Sequence, residues 1–402
     1  MLGYDLGRQL EPRAAFDAVA RRGLAPESPP PPIWLSRCDR ALIFDHHARQ
    51  WWSMDAIAPH VTPGNADAPW YRGVLPRDLF ATRANDAAGF RRGPLTPDLS
   101  RHTFEAMVQR VLDYIHAGDC YQVNLAHRLR ATFEGDARAL TLALLAAARP
   151  WYGCHLDIRH EGQRWTLSGA SPERFLEISP PHADGTRTIT TRPMKGTRRA
   201  SDQGSHADLN ASAKDRAELA MIVDLMRNDL GRVATLASVQ VSQPRIIEEH
   251  GTGDSALLQT TATITATLAP SATLFDILRA TFPPGSITGA PKIRAMQIID
   301  ELEHAQRGPY CGSVGYIGDD GSAQLNVAIR TALIAPPSGE PAANQNPSHY
   351  AAGSTLAYWV GAGIVADSTP ASEWEETLAK ASAIEAVGTG DWGSGTGVGE
   401  RQ

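Results

Sequence analysis

Cys154-His-Leu-Asp-Ile158, Trp165-Thr-Leu-Ser168, Arg174-Phe-Leu-Glu-Ile178 and Arg187-Thr-Ile-Thr-Thr191 are four β-prone runs with only short stretches between them. Nothing of helix length separates one from the next, so they do not have the βαβ beat of a doubly wound parallel sheet. Helices frame the block instead of interrupting it. Strands and helices that mix without a regular alternation define an α+β chain.

Upstream, Ser100 is an N-cap candidate, and Phe104, Met107, Val108, Val111, Leu112 and Ile115 recur at helical spacing until Gly118. A strand is expected over Cys120–Leu129 and an Ala/Leu-rich helix over Ala139–Ala148. Downstream, helices are expected over about 213–230, 273–281, beyond the Gly-rich corner 285–291, and over Pro370–Val387. Strands are expected near 238–242 and 261–268, and at Gly312–Ile317, Ala323–Ile334 and Ala357–Val365. Residues 1–98 read as a region of loops and short strands, with a polyproline stretch at Pro29–Pro32 and a strand-like run at Ala41–Phe44. The main pattern occupies 99–387. Residues 335–349 read as a loop, and the Gly-rich tail 388–402 is expected to be disordered.

The chain has 402 residues, 42% hydrophobic and 20% charged, which is ordinary globular material for two or three domains or one large unit. A net charge of −6 without a basic stripe argues against a nucleic-acid partner. Cys38, Cys120, Cys154 and Cys311 are scattered, with neither CxxC nor zinc spacing, so free thiols in a reducing compartment are expected. No signal peptide and no membrane-spanning apolar run is visible, which makes a cytoplasmic protein the expectation.

Three places hold candidate chemistry. Arg192-Pro-Met-Lys-Gly-Thr-Arg198 puts Lys195 in a corner between Pro193 and Gly196, at the end of the last β run. Buried beside Arg192, Arg198 or a metal, its pKa would fall and its neutral amine would be a nucleophile; solvated, it is a surface charge. Glu173, in Ser171-Pro-Glu-Arg-Phe175, is either a general acid or the ion-pair partner of Arg174. Two helix starts, Ser212-Ala-Lys-Asp215 and Thr369-Pro370, each present two acids three residues apart: Asp215 with Glu218, and Glu373 with Glu376. Either pair alone complements a helix dipole; together the four acids form an oxygen set for a hard cation such as Mg²⁺. Gly285-Ser-Ile-Thr-Gly-Ala-Pro-Lys292 is a Gly-rich corner with Pro291 at an expected first helical position, and it lacks the ending of a P-loop.

These segments fall in a collinear series. It runs from Gly3-Tyr-Asp-Leu-Gly-Arg8 and Gly118-Asp-Cys-Tyr-Gln-Val-Asn124 through the Glu173 and Lys195 motifs to Ala213-Lys-Asp-Arg-Ala-Glu218 and Ile222-Val-Asp-Leu-Met-Arg-Asn-Asp-Leu-Gly-Arg232. It continues with Gly285 to Lys292, Gly312-Ser-Val-Gly-Tyr316, Ile329-Arg-Thr331 and Gly361-Ala-Gly-Ile-Val-Ala-Asp-Ser368. The series resembles the chorismate-utilising enzymes over nearly the whole chain, and within them the branch that forms aminodeoxychorismate. The resemblance implies a large mixed β-sheet sandwich flanked by helices. It implies that Lys195 adds to C2 of chorismate as the C4 hydroxyl leaves, with Glu173 as general acid/base. Glu218 and Glu376, with Asp215 and Glu373 nearby, would form the Mg²⁺ site. Arg330 and Tyr316, with Thr288, Gly289, Ala290, Lys292, Gly361 and Gly363, would form the substrate-binding wall.

The implied product is 4-amino-4-deoxychorismate, on the route to 4-aminobenzoate and folate. The implied ammonia source is a glutamine amidotransferase subunit, since no glutaminase Cys/His/Glu set is recognisable here. Anthranilate and isochorismate synthases typically have alanine at the Lys195 position, which sets those sibling activities, and salicylate synthase, behind. A non-catalytic paralogue is the alternative of another class. Two departures from the family pattern stand out. Family members have a sizeable stretch before the Gly3–Arg8 motif, and they commonly have histidine where this chain has Gln259.

Overall fold

The four β-prone runs between 154 and 191 are strands in the computed structural model, and they divide between two sheets. The structure describes residues 1–10, 30–36, 38, 40–45, 50–55, 89–250, 256–337 and 349–388. Its larger unit comprises Met1–Ile33 and Gly89–Gln402; the smaller is Trp34–Ala88. The region read as 1–98 is therefore divided between the two. The smaller unit holds the antiparallel hairpin of β1 (Arg40–Asp45) and β2 (Gln50–Asp55), where Ala41–Phe44 was read as a strand.

In the larger unit the first sheet contains β3 (Phe90–Arg92), β4 (Thr96–Pro97), β5 (Gln122–Asp136), β6 (Tyr152–His160), β7 (Gln163–Ser171), β13 (Gly289–Ala290), β16 (Thr331–Ala335) and β17 (His349–Ile364). The second contains β8 (Arg174–Ile178), β9 (Thr188–Arg192), β10 (Met194–Arg199), β11 (Gln240–His250), β12 (Leu257–Thr267), β14 (Gly315–Ile317) and β15 (Ala323–Asn326). The ladders between these strands are all antiparallel. The helices are α1 (Leu6–Leu10), α2 (Arg101–His116), α3 (Ala137–Ala148), α4 (Ser205–Ala211), α5 (Ala213–Gly231), α6 (Leu274–Thr281), α7 (Lys292–Leu302), α8 (Pro370–Ala379) and α9 (Ser382–Glu385). The α+β sandwich is thus as expected. Among the described residues no helix is long and apolar enough to cross a membrane.

Period-two alternation in β5 and β17 decides which side meets the helices. Val123 and Leu125 of β5, with Ala362 and Ile364 of β17, pack under Phe104, Val108 and Val111 of α2 and Ile298 of α7. Further along the same strands, Leu129, Phe133, Tyr358 and Leu356 pack against Leu140 and Leu144 of α3. The alternate positions point the other way, where Gly363 faces Asn124 and Gly361 faces Ala126 in register. That bare face is the floor of the cleft described below.

Several expected boundaries moved for physical reasons. The single strand expected over Ala323–Ile334 is two, β15 and β16, because the chain changes sheet between Asn326 and Thr331. The helix expected over Pro370–Val387 breaks at Lys380 into α8 and α9. Pro291 is the N-cap of α7 in an extended conformation, not its first helical residue. Helix α4 is short and polar, burying only Ser205 and Leu209, so no apolar period announces it. Of the loop at 335–349 and the tail at 388–402, residues 338–348 and 389–402 lie outside the described residues.

One buried ion pair ties the first sheet to the Gly-rich corner. Arg307 donates to both oxygens of Glu303 (2.6 and 2.9 Å), to Ile287 O (2.9 Å) and to Asn124 O (2.6 Å). Arg307→Met would leave Glu303 charged, buried and unpaired. The expected loss is about 3–5 kcal/mol of unfolding free energy. Urea denaturation checks it, and a loss below about 1 kcal/mol, the range of a surface pair, contradicts it.

Candidate active site

Two of the chain's passages between the sheets lie side by side, and each leaves one charged side chain in the gap. Pro172 and Glu173 link β7 to β8; residues 327–330 link β15 to β16. The crossings are laced together, with Val327 N donating to Glu173 O (3.0 Å) and Ala170 N to Arg330 O (3.0 Å). Arg330 has a φ of 50°, a left-handed conformation unusual for a side-chain-bearing residue. Such conformations cluster at functional sites. Glu173 and Arg330 line a cleft of about 510 Å³ together with Lys195, Ser286, Tyr310 and Gln259.

Glu173 is not the partner of Arg174, which pairs with Glu177 at 2.5 Å and donates to Tyr152. Its carboxyl is buried and accepts from Ser286 Oγ. Burial pushes its pKa up to about 7, against the pull of the Ser286 hydrogen bond and the Lys195 charge. Near neutral pH it is therefore poised between acid and base.

Lys195 lies on β10, at a bulge where the register with β12 shifts before Thr197. Gly196 makes the bulge, with φ of 75°, and a side chain there would begin 2.9 Å from the Asp215 carboxyl carbon. The bulge turns the Lys195 amine toward the floor of the cleft, 2.8 Å from where a side chain on Gly363 would begin. Glycine at 363 is what leaves room for it. Burial lowers the Lys195 pKa, helped by the Lys380 charge and opposed by Glu218, Glu376 and Glu173. A larger neutral fraction makes the amine a better nucleophile.

Four carboxylates line another part of the cleft: Asp215 and Glu218 from α5, Glu373 and Glu376 from α8. The caps read from sequence set their phase. Ser212 accepts from Asp215 N (3.1 Å), Thr369 accepts from Ser372 N (3.4 Å), and Pro370 occupies the first turn of α8. Arg198 pairs with Asp215 at 2.8 Å, Lys380 with Glu376 at 2.8 Å, and Lys214 approaches Glu218 at 4.0 Å. Burial raises the pKa of Glu218 and of Glu373, with the Glu376 charge adding to both; Lys380 foremost lowers that of Glu376. Among the described residues no three acid, imidazole or thiol groups converge closely enough to hold a metal ion. The donor set nonetheless suits a hard cation in kind. It is all oxygen, and the buried Glu373 leaves its Oε2 without a hydrogen-bond partner.

Other expected site residues sit elsewhere. Tyr316 is 62% exposed on β14 and does not line the cleft; Tyr310, six residues earlier, does. Lys292 is bound to Asp229 (2.5 Å) and to Thr281 O (2.9 Å). The Thr288 hydroxyl donates within its own turn, to Pro284 O and Gly285 O, while Gly289 and Ala290 are engaged as β13 against β5. From that corner Ser286 and Ile287 reach the cleft instead. Gly361 and Gly363 do line it. Gln259 also lines it and donates to Thr197 Oγ1 at 3.1 Å. Gln122 was not foreseen. It is fully buried, its amide lies 3.2 Å from the same Gly363 point as Lys195, and neither amide atom has a hydrogen-bond partner.

A family model described as chorismate binding enzyme matches residues 1–386, and the chain belongs to that family. It is a chorismate-utilising enzyme. Over 390 residues it is 36% identical to aminodeoxychorismate synthase component 1 of Salmonella typhimurium, covering 96% of this chain and 75% of that one. Over 403 residues it is 34% identical to anthranilate synthase component 1 of a Synechocystis species, covering 94% and 73%. The solved structure of anthranilate synthase component I from Streptococcus pneumoniae superposes with a TM-score of 0.66 at 26% identity, covering 95% of this chain and 79% of that one.

Proposed function

We propose that the chain is the chorismate-aminating component of an aminodeoxychorismate synthase. The observation that carries this reading is the Lys195 amine, desolvated in one cleft with a Glu173 whose pKa lies near 7. The neutral amine bonds to C2 of chorismate. The C1=C2 pair shifts to C1=C6, the C5=C6 pair to C4=C5, and the C4 hydroxyl leaves as water with the proton of Glu173. The surplus proton on the new secondary amine passes to the Glu173 carboxylate. Ammonia then bonds to C4, the two pairs shift back, and Lys195 leaves C2 as the neutral amine with the proton held by Glu173, whose carboxylate takes one back from the new C4 ammonium.

Arg330 offers a guanidinium for a substrate carboxylate, and Tyr310 and Gly361 shape the wall beside it. Glu218 and Glu376, supported by Asp215 and Glu373, are the residues proposed to hold Mg²⁺. Bound there, the ion would neutralise the substrate's ring carboxylate. Ammonia is proposed to come from a glutamine amidotransferase subunit, a reading supported by the component 1 designation of the similar enzymes.

Product analysis tests the proposal. The purified chain, given chorismate, an ammonium salt and Mg²⁺, is expected to form 4-amino-4-deoxychorismate, and to use glutamine only after a glutaminase subunit is added. Anthranilate as the product would move the chain to the anthranilate synthases, which it resembles almost as closely. No turnover at all would support the non-catalytic reading.

A further inference from the structure

Lys380 is the C-cap of α8, one turn beyond Glu376, and it lines the cleft. Its ammonium makes two hydrogen bonds, to Glu376 Oε1 at 2.8 Å and to Gly361 O at 2.7 Å. The first holds an acid of the proposed metal set; the second holds the floor of the cleft. Arg198 is paired with Asp215, and Lys214 stands near Glu218. Of the four acids, only Glu373 keeps a buried oxygen with no hydrogen-bond partner. The chain thus sets its own cations against three of the four acids, and no three acids converge among the described residues.

We propose that Lys380 is an internal counter-cation, which holds Glu376 in the metal-free cleft and is displaced from it when a divalent cation binds. The inference rests on the metal placement given under the proposed function. Four acids facing one another repel, and an ammonium at hydrogen-bond distance relieves that repulsion when nothing else is bound. An ammonium and a divalent cation on one carboxylate repel each other strongly in a partly desolvated cleft, so the two compete. Lys380 can yield without losing its place, because Gly361 O holds it independently of Glu376. Its freed donor then faces the cleft, where a substrate carboxylate would meet it. Lys380 is on this account a positioning residue. It keeps the acids apart and charge-balanced until metal and substrate arrive.

Binding of Mn²⁺, a hard ion that takes the same oxygen ligands, is the test, followed by the electron paramagnetic resonance of the free ion with the full chain and no substrate. Lys380→Gln is expected to bind Mn²⁺ roughly tenfold more tightly than the wild type, within the usual range for coupled sites. Lys380→Arg, which keeps the charge, is expected to bind as the wild type does. A merely structural lysine would give the opposite sign, since its loss loosens the site. Equal or weaker binding by a folded Lys380→Gln overturns the inference. If that variant does not fold, a crystal structure of the wild type with Mn²⁺ decides. Nζ withdrawn from Glu376 supports displacement, and Nζ still hydrogen-bonded to Glu376 beside the bound ion refutes it. Glu218→Gln and Glu376→Gln separate the two claims. If both weaken Mn²⁺ binding while Lys380→Gln fails to tighten it, only the Lys380 inference falls; if neither weakens it, the metal placement falls and takes the inference with it.

Discussion

Replacing Lys195 with alanine is expected to lower aminodeoxychorismate formation by about a thousandfold or more, the scale of removing a covalent nucleophile. Chorismate affinity is expected to change little, because Arg330, Tyr310 and the four acids remain. The split is the informative part. A lysine that only bound substrate would raise KM and leave kcat, whereas a nucleophile lowers kcat and kcat/KM together. The alanine variant has no amine to add at C2, so any residual product must come from direct attack by ammonia or water. Wild-type kcat in that variant would remove Lys195 from the chemistry.

Glu173→Gln is expected to cost about a hundredfold to ten-thousandfold in the rate of adduct formation, measured in single turnovers without ammonia. The amide keeps the shape and the Ser286 contact but cannot deliver a proton to the leaving hydroxyl. The wild-type rate should fall as pH rises through about 7, where Glu173 loses its proton. It should also fall toward acid pH, where Lys195 becomes charged; its lowered pKa brings that limb below the ordinary lysine range. Stability has its own sign. Glu173 binds its proton more tightly in the folded chain than in the unfolded one, so the folded state holds more protons between the ordinary carboxyl value of 4.5 and about 7. Unfolding free energy therefore decreases as pH rises through that window. Glu173→Gln should remove both the alkaline limb of the rate and that share of the stability slope. An unchanged alkaline limb would assign the proton transfer to another group.

What could be read from the sequence followed local rules. Ser100, Ser212 and Thr369 cap the helices expected of them, and the cap positions put Asp215, Glu218, Glu373 and Glu376 on a common cleft. The α+β class followed from crowded β runs without helices between them. The misplaced site residues were failures of long range. Nothing local distinguishes Tyr310 from Tyr316; one precedes the strand and lines the cleft, while the other points outward from the edge strand β14. Lys292 was expected on the substrate-binding wall, and nothing local points to Asp229, its buried partner, which lies sixty-three positions away in the chain. The β-prone run of 323–334 concealed the crossing that presents Arg330, since both segments it joins are strands. Gln122 could not be found from sequence at all. Only the antiparallel register of β5 with β17 brings it beside Gly363 and the Lys195 amine.

Peptide mass spectrometry shows whether Lys195 bonds to the substrate. The wild-type chain is mixed with chorismate and Mg²⁺ in the absence of ammonia, quenched and digested. A mass increase equal to chorismate less water is expected, located by fragmentation on Lys195 and absent from Lys195→Ala. Turnover to aminodeoxychorismate on adding ammonia, with every lysine unmodified at each quench time before and during the reaction, would contradict it.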